Sequence, residues 1–131
     1  MPERQNFSSG GAREPLIGYS RSVRVGAQVF VSGCVAYGAD GKLVGPGDLY
    51  AQTRQCIANI ERGLALAGAE LRHVVRTRIY VTEMDRWEEA GRAHGEAFGQ
   101  IRPACTFLGV SRLVNPEMLV EIDADAVVHE S

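Results

Sequence analysis

The stretch that decides the fold class is MLVEIDADAVV, residues 118–128. Its even positions are apolar, and three of its odd positions carry acids: Glu121, Asp123 and Asp125. This period of two predicts a long strand with one buried face and one acidic face. Carboxylates that follow one another on one strand face lie roughly 7 Å apart and repel each other. We therefore expect counter-charges, or a covering surface, over the acidic face.

A second stretch offers those counter-charges. HVVRTRIYVTEM, residues 73–84, predicts another strand of β-branched and polar residues in alternation. One predicted face carries Val75, Thr77, Ile79 and Val81, and the other carries Arg76, Arg78, Tyr80 and Thr82. The arginines can pair with the acids of the last strand. A sheet with helices on one face and charges on the other predicts a homo-oligomer, in which a second copy covers the charged face.

The remaining elements follow from periodicity and from glycine and proline positions. Residues 48–67 and 85–98 predict helices, and residues 104–110 predict a strand after Pro103. Two more strands precede the first helix and are split at Gly26 and Ala27. The predicted order is ββ-α-β-α-ββ, an α+β fold with two helices on one mixed sheet. We expect one domain over residues 1–131, with residues 1–15 as a loose polar arm.

The composition excludes several classes of function. The net charge is −2 and the arginines are scattered, so nucleic acid is not an expected partner. The three cysteines form no CxxC pair, which argues against a disulfide framework and fits a reducing compartment. No apolar run approaches the ~20 residues of a membrane span, and the N-terminus has no signal pattern. These features predict a cytoplasmic protein with no membrane partner.

The sequence predicts no metal site and no phosphate loop. His73, His94 and His129 share no ligand spacing with one another or with a cysteine. His94 lies with Trp87 on the apolar stripe of its helix, which favours a packed histidine over a ligand. The glycine clusters lack the lysine, strand and helix order of a phosphate loop. We expect no cofactor.

Three residues remain as candidates for chemistry, each with a structural alternative. Cys105 is either a nucleophile or a small residue packed at a strand start. Glu121 is either a general acid or base or the partner of an arginine. Tyr19 is either the wall of a ligand site or an aromatic residue at a strand end. The residues alone do not choose among these readings.

Several motifs together resemble the RidA/YjgF family across nearly the full length. They are Gly18-Tyr19, VFVSG at 29–33, AQTRQCIANIERGLALAGAEL at 51–71, VVRTRIYVTEMDRWEEAGRAHGEAF at 74–98, RPACTFLGVSRL at 102–113 and VEIDADAV at 120–127. The resemblance implies a chorismate-mutase-like α+β homotrimer with a site in each cleft between subunits. It also implies hydrolysis of reactive imines and enamines to a ketone or keto acid plus ammonia, without a cofactor.

Carried over by position, most of the family site is present. The resemblance implies that Tyr19 lines the cleft, that Gly33 approaches the ligand by its backbone and that Glu121 positions the attacking water. The family motif P-A-R-[ST] holds an arginine that clamps the substrate carboxylate. Here the motif reads PACT, so Cys105 stands in the place of that arginine, and Thr106 keeps the next position.

Two other arginines are candidates for the missing clamp. Arg102 lies three residues before Cys105, and an odd offset along an extended chain sends a side chain to the opposite face. Arg92 lies on the second predicted helix, which contributes to the cleft in the family. Loss of a charge-assisted pair removes roughly 1.5–3 kcal/mol of binding free energy. Imines of keto acids are therefore expected to be poor substrates.

We predict a RidA-like deaminase of small imines or enamines with altered substrate choice. The alternative is a non-enzymatic trimer that binds small metabolites or acts like a chaperone, and the absent arginine favours it. A ribonuclease label also attaches to the family, but the acidic balance counts against it. Chorismate mutase chemistry would need several cleft cations for a dianionic substrate.

Overall fold

Two long helices lie on one face of a six-stranded sheet in the computed structural model, which describes residues 3–130. The strands are β1 (Arg4–Phe7), β2 (Ser22–Val25), β3 (Gln28–Cys34), β4 (Val74–Val81), β5 (Ala104–Gly109) and β6 (Val120–Val127). The helices are the short α1 (Arg13–Ile17) and the longer α2 (Leu49–Leu66) and α3 (Trp87–Phe98).

The sheet is mixed and has the order β1-β2-β3-β6-β4-β5. Strands β4 and β5 are parallel, with α3 in the crossover between them, and the other neighbours are antiparallel. The predicted ββ-α-β-α-ββ order and the α+β class are confirmed. Strand β6 lies between β3 and β4, and its residues alternate between buried and half-buried along its whole length. The last strand is thus the centre of the sheet.

The cap and the buried stripe of helix α2 explain why the sequence predicted a helix packed on the sheet. The Asp48 carboxylate accepts a hydrogen bond from the backbone N–H of Ala51 at 2.9 Å and so caps the first turn. Cys56, Ile60 and Leu64 recur at helical spacing and are at most 1% exposed. They belong to the same core cluster as the apolar residues of β3 and β6. The two long helices leave the opposite face of the sheet, which carries the acidic row, uncovered.

The arm differs from the prediction. Residues 4–7, expected in a loose arm, form β1 and pair with β2, and residues 13–17 form α1. Strand β1 is held by backbone hydrogen bonds to β2. Its side chains are mostly polar and exposed, so they lack the apolar alternation that predicts a strand. The buried Glu14 carboxylate anchors the same segment, since it accepts hydrogen bonds from the Ser9 hydroxyl at 2.5 Å and the Ser9 backbone N–H at 3.2 Å. Residues 1 and 2 lie outside the described residues.

Two buried faces also differ from the predicted ones. On β4, Val74 is buried and Val75 is 43% exposed, because a register shift against β6 lies between Val74 and Arg76. On α3, Trp87 is 50% exposed and packs edge-on against Phe107 of β5. Both side chains were expected inside. Of the helices within residues 3–130, none combines the length and the apolar character needed to cross a membrane.

Candidate functional site

Glu121 lies on β6 and points away from the helices, with its carboxylate packed on the backbone of Gly33. A Cβ atom added at Gly33 would lie 1.9 Å from Oε2 of Glu121, so any other residue here would force the carboxylate to move. Strand β3 is irregular at this point, because its register against β6 shifts between Val31 and Cys34. The irregularity places the bare backbone of Gly33 beside Glu121. The structure therefore brings these two expected site residues together.

The Glu121 carboxylate is half-buried, and no residue in the described part of the chain donates a hydrogen bond to it. Its pKa is raised above the usual 4.5, first by burial and then by the negative charge of Asp123. The guanidinium groups of Arg21 and Arg13 act in the opposite direction. A desolvated carboxylate of raised pKa is the chemical form of a general base that works near neutral pH.

Arg21 supports the backbone on which Glu121 rests. Its Nη1 donates to the carbonyl oxygens of Gly33 at 2.8 Å and Ser32 at 3.2 Å, and to Sγ of Cys34 at 3.3 Å. Its guanidinium carbon lies 5.6 Å from the ring centroid of Tyr19, which is within cation–π range. Tyr19 is thereby joined to Gly33 and Glu121 through one arginine. Tyr19 also borders a cavity of about 320 Å³ beside α1.

A second arginine–tyrosine pair involves helix α1. Arg13 is the first residue of α1 and is half-buried. Its guanidinium carbon lies 5.9 Å from the ring centroid of Tyr37. Since Arg13 lowers the pKa of Glu121, its charge reaches the carboxylate. Two arginine–tyrosine pairs thus accompany the unpartnered acid.

The other acids of β6 are paired as the sequence indicated. Arg78 forms salt bridges with Asp123 at 2.8 Å and Asp125 at 3.2 Å. The Tyr80 hydroxyl donates to Asp123 at 2.8 Å. Burial and this bond to the carboxylate raise the pKa of Tyr80 to about 12. Arg76, the other expected counter-charge, forms no salt bridge within residues 3–130.

Cys105 and Thr106 lie on the edge strand β5 and are exposed. Cys105 is in register with Thr77 of β4, whose side chain is buried toward the helices, whereas Thr106 is in register with Arg78 on the charged face. Glu121 is in register with Tyr80 near the other end of β4. Cys105 is therefore two strands and three residues from it, roughly 10 Å in each direction. A single chain does not bring them together.

The two alternative clamps are also far from Glu121 within one chain. Arg102 has a φ of 56° and lines a groove of about 560 Å³ at the start of β4 and β5. Arg92 lies on the helix layer, where its guanidinium carbon is 4.1 Å from the ring centroid of Tyr50.

His94 is a packed residue, as the sequence indicated. Its Nε2 shares a hydrogen bond with the Thr77 hydroxyl at 2.9 Å, and burial lowers the pKa of the imidazole.

Comparison with known proteins identifies the family. The family profile described as Endoribonuclease L-PSP matches residues 11–128. The chain belongs to the RidA/YjgF family. A solved structure of a YjgF/YER057c/UK114 family member from Mycobacterium tuberculosis is 47% identical, with a TM-score of 0.87, and the match covers 96% of this chain and 100% of that one.

More distant relatives agree with this assignment to the RidA/YjgF family. A Rid family protein of unknown function from Yersinia pestis is 29% identical with a TM-score of 0.85, over 96% of this chain and 100% of that one. An uncharacterized protein from Streptomyces coelicolor is 33% identical over 93% of this chain and 90% of its own length. A RutC family protein from Pyrococcus abyssi is 32% identical over 88% and 90%.

Sequence reasoning missed Arg13 and Arg21 as neighbours of the RidA-like site. Both lie in or just after the segment that was read as an arm, and neither belongs to a motif used for the assignment. The available signal was the pattern of an arginine near an aromatic residue, as in YSR at 19–21. That pattern is too common to single out a site before the strands are placed.

Proposed function

We propose that this RidA/YjgF family member hydrolyses small reactive imines or enamines, with Glu121 holding the attacking water. The observation that supports this is the state of its carboxylate, which is half-buried, has no hydrogen-bond donor within residues 3–130 and packs on the Gly33 backbone. A buried charge without a partner opposes folding. Such a group is retained where a bound water or ligand completes its hydrogen bonds.

The chemistry requires one base that becomes an acid. Ionised Glu121 takes a proton from water while the water oxygen bonds to the imine carbon, and the C=N electron pair moves to nitrogen. Protonated Glu121 then returns a proton to that nitrogen, which gives a carbinolamine. Glu121 then takes the hydroxyl proton and passes it to the amine, so that C=O forms, the C–N bond breaks and ammonia leaves. The sum is one imine and one water converted to one carbonyl compound and one ammonia. An enamine enters after tautomerising to the imine.

We also propose that the active form is a homotrimer whose charged sheet face is covered by a neighbouring copy. Two large apolar side chains support this, since Phe30 and Leu108 are each 43% exposed. Their register with Asp125 and Tyr80 puts them on the acidic face. In that assembly, the edge strand with Cys105 and Thr106 of one copy would border the Glu121 site of another. Light scattering that gives a monomer would contradict this arrangement.

The second candidate function is a non-enzymatic trimer that binds small metabolites. The observation that favours it is Cys105, which is exposed at the position of the family clamp and carries no positive charge. A site with the cleft and without its clamp would bind ligands but orient them poorly for attack. For either function we propose a cytoplasmic protein without a cofactor, which accords with three free cysteines among the described residues.

The test is turnover of freshly generated imines, produced from amino acids by an amino-acid oxidase or from amines by an amine oxidase. Ammonia and carbonyl release are followed with and without the protein. We expect Glu121→Gln to lower kcat/KM about 100-fold or more. The matched control is Asp125→Asn, the same change in charge on the same face of β6, which leaves kcat/KM within about threefold.

Two outcomes separate the candidates. Turnover no faster than in buffer, for every imine, overturns the deaminase. Saturable binding of the product ketones in that case supports the binding protein instead.

A further inference from the structure

The groove of about 560 Å³ lies at the end of the sheet where β4 and β5 begin and β6 ends. Its polar lining consists of Arg72, Gln100, Arg102 and His129, and no acidic side chain of the described chain lines it. Glu121 lies near the other end of β6, roughly 20 Å away by strand geometry. The groove is therefore separate from the Glu121 site of the same chain.

Arg102 has a backbone conformation that favours glycine. Its N–H donates to the carbonyl oxygen of Phe98 at 2.8 Å and so closes the turn that follows α3. Its φ is 56°, and no other residue of the described chain except glycines has a positive φ. Glycine adopts this conformation without a steric penalty, whereas the following Pro103 favours an extended residue before it. Arginine is thus a strained choice for this turn, and such strain is typical of a residue whose side chain has a function.

The Arg102 side chain is free to bind a ligand. It is exposed, and within residues 3–130 it makes neither a salt bridge nor a side-chain hydrogen bond. A guanidinium group carries five N–H donors in a planar fork that matches the oxygens of a carboxylate or a phosphate. All five donors of Arg102 are therefore available at the groove.

Two other basic residues of the groove are held in place by hydrogen bonds. Nη1 of Arg72 donates to the carbonyl oxygen of His129 at 3.1 Å. Nδ1 of the buried His73 accepts from the backbone N–H of Glu70 at 3.0 Å, so its Nε2 carries the proton and donates to the same carbonyl oxygen at 3.2 Å. Nδ1 of His129 is itself buried and has no hydrogen-bond partner within residues 3–130. A water or a ligand is needed to complete its hydrogen bonding.

We propose that this groove binds the phosphate group of a small phosphate monoester. The guanidinium groups of Arg72 and Arg102 supply two positive charges, which match a phosphate dianion better than the single charge of a carboxylate. The volume exceeds that of a phosphate group, and the apolar side chains of Val75, Ile101 and Pro103 line part of it. These side chains can contact the organic part of the ester. The inference does not depend on imine hydrolysis.

The test is a calorimetric titration of the protein with inorganic phosphate, glycerol 3-phosphate and acetate at one pH and ionic strength. We expect glycerol 3-phosphate to bind at least as tightly as phosphate, and acetate to bind at least about tenfold more weakly than phosphate because it offers one charge. Arg102→Gly should weaken phosphate binding about 10- to 100-fold, as loss of a charge-assisted pair does.

Thermal unfolding separates loss of the site from loss of the fold. Arg102→Gly should unfold at the same temperature as wild type or at a higher one, because glycine relieves the left-handed backbone. Arg102→Asn is a second variant, since asparagine also tolerates this conformation and carries no charge. It should lose phosphate affinity to the same extent.

Arg54→Gln is the matched control. Arg54 is an exposed arginine of α2 whose guanidinium carbon lies 5.9 Å from the ring centroid of Tyr50, and it does not line the groove. This variant removes one positive charge from the surface at another place. Its affinity for phosphate should stay within about twofold of wild type.

Three results overturn the proposal: no phosphate binding by wild type, equal phosphate affinity in wild type and Arg102→Gly, or acetate binding as tight as that of phosphate. Phosphate binding that is lost in both folded Arg102 variants and kept in Arg54→Gln upholds it, whether or not the protein hydrolyses imines.

Discussion

Glu121 and Asp123 are two residues apart on β6, face the same side of the sheet and follow the same alternation, yet their surroundings are opposite. Asp123 forms a salt bridge with the Arg78 guanidinium at 2.8 Å and accepts a hydrogen bond from the Tyr80 hydroxyl at 2.8 Å. Glu121 is in register with Tyr80, but that hydroxyl bonds to Asp123, and on β3 Glu121 meets the bare backbone of Gly33.

This difference separates stability from function on one strand. At the Asp123 end, each acid has a donor, and the charges hold β4 to β6. At the Glu121 end, desolvation and the neighbouring charge of Asp123 raise the pKa of an acid that has no donor within the described chain. Asp123 thus raises the pKa of Glu121, because its negative charge favours the protonated form of the neighbouring acid.

Among the variants that test the difference between Glu121 and Asp123, Gly33→Ala is expected to have the largest effect. The new Cβ would lie 1.9 Å from Oε2 of Glu121, which is the movable end of a flexible side chain. The carboxylate should therefore shift while the fold persists. A displacement of about 1 Å costs up to about 100-fold in rate, so we expect kcat/KM for imine hydrolysis to fall by that order.

Gly95→Ala is the control for this change, because a Cβ at Gly95 of α3 meets nothing within 4 Å. Its activity should match wild type, and its helix should gain slightly in stability. Full activity of Gly33→Ala would contradict the placement of the reactive carboxylate on this backbone.

An intermediate effect is expected from Arg78→Gln, which leaves Asp123 and Asp125 without their cation. The pairs are partly exposed, with the Arg78 side chain at 37% exposure, so solvent screening limits their contribution. We expect the free energy of unfolding to fall by about 1 kcal/mol, less at high salt. Chemical denaturation with Arg76→Gln as the control measures this, because Arg76 is on the same strand and forms no salt bridge in the described chain. Equal stability of the two variants would show that the paired end does not hold the sheet.

The smallest effect is expected from Asp123→Asn, which tests the electrostatic coupling between Asp123 and Glu121. Asp123 raises the pKa of Glu121, so Asp123→Asn should lower that pKa. Activity requires ionised Glu121 and rises as pH increases through its pKa. The acidic limb of the kcat/KM profile should therefore move to lower pH in Asp123→Asn. Asp125→Asn should leave the limb in place, since Asp125 is not among the charges that act on Glu121. A limb that stays in place in both variants would assign it to another group.

Much of the fold could be predicted because its signals are local. Helix α2 has an aspartate cap and a stripe of apolar residues, and β6 alternates strictly. Strand β1 could not be predicted, since its side chains are mostly exposed and its backbone pairing with β2 leaves no mark in residue type. The exposed Val75 was missed for a similar reason, because a one-residue register shift reverses the face of a strand.

The candidate site could also be predicted only in part, and for the same reason. The sequence by itself determined the acidic row of the last strand, the glycine of VFVSG and the absence of an arginine at position 105, because these are properties of residue type and spacing. Only the tertiary structure decided which acid is paired and which is not. That outcome depends on the order of β3, β6 and β4 and on the irregular register at Gly33, which join residues nearly 90 positions apart (33 and 121). It also decided that Arg21 supports the backbone beside Glu121, since its side chain reaches the carbonyl oxygens of Ser32 and Gly33, which lie 11 and 12 residues away along the chain.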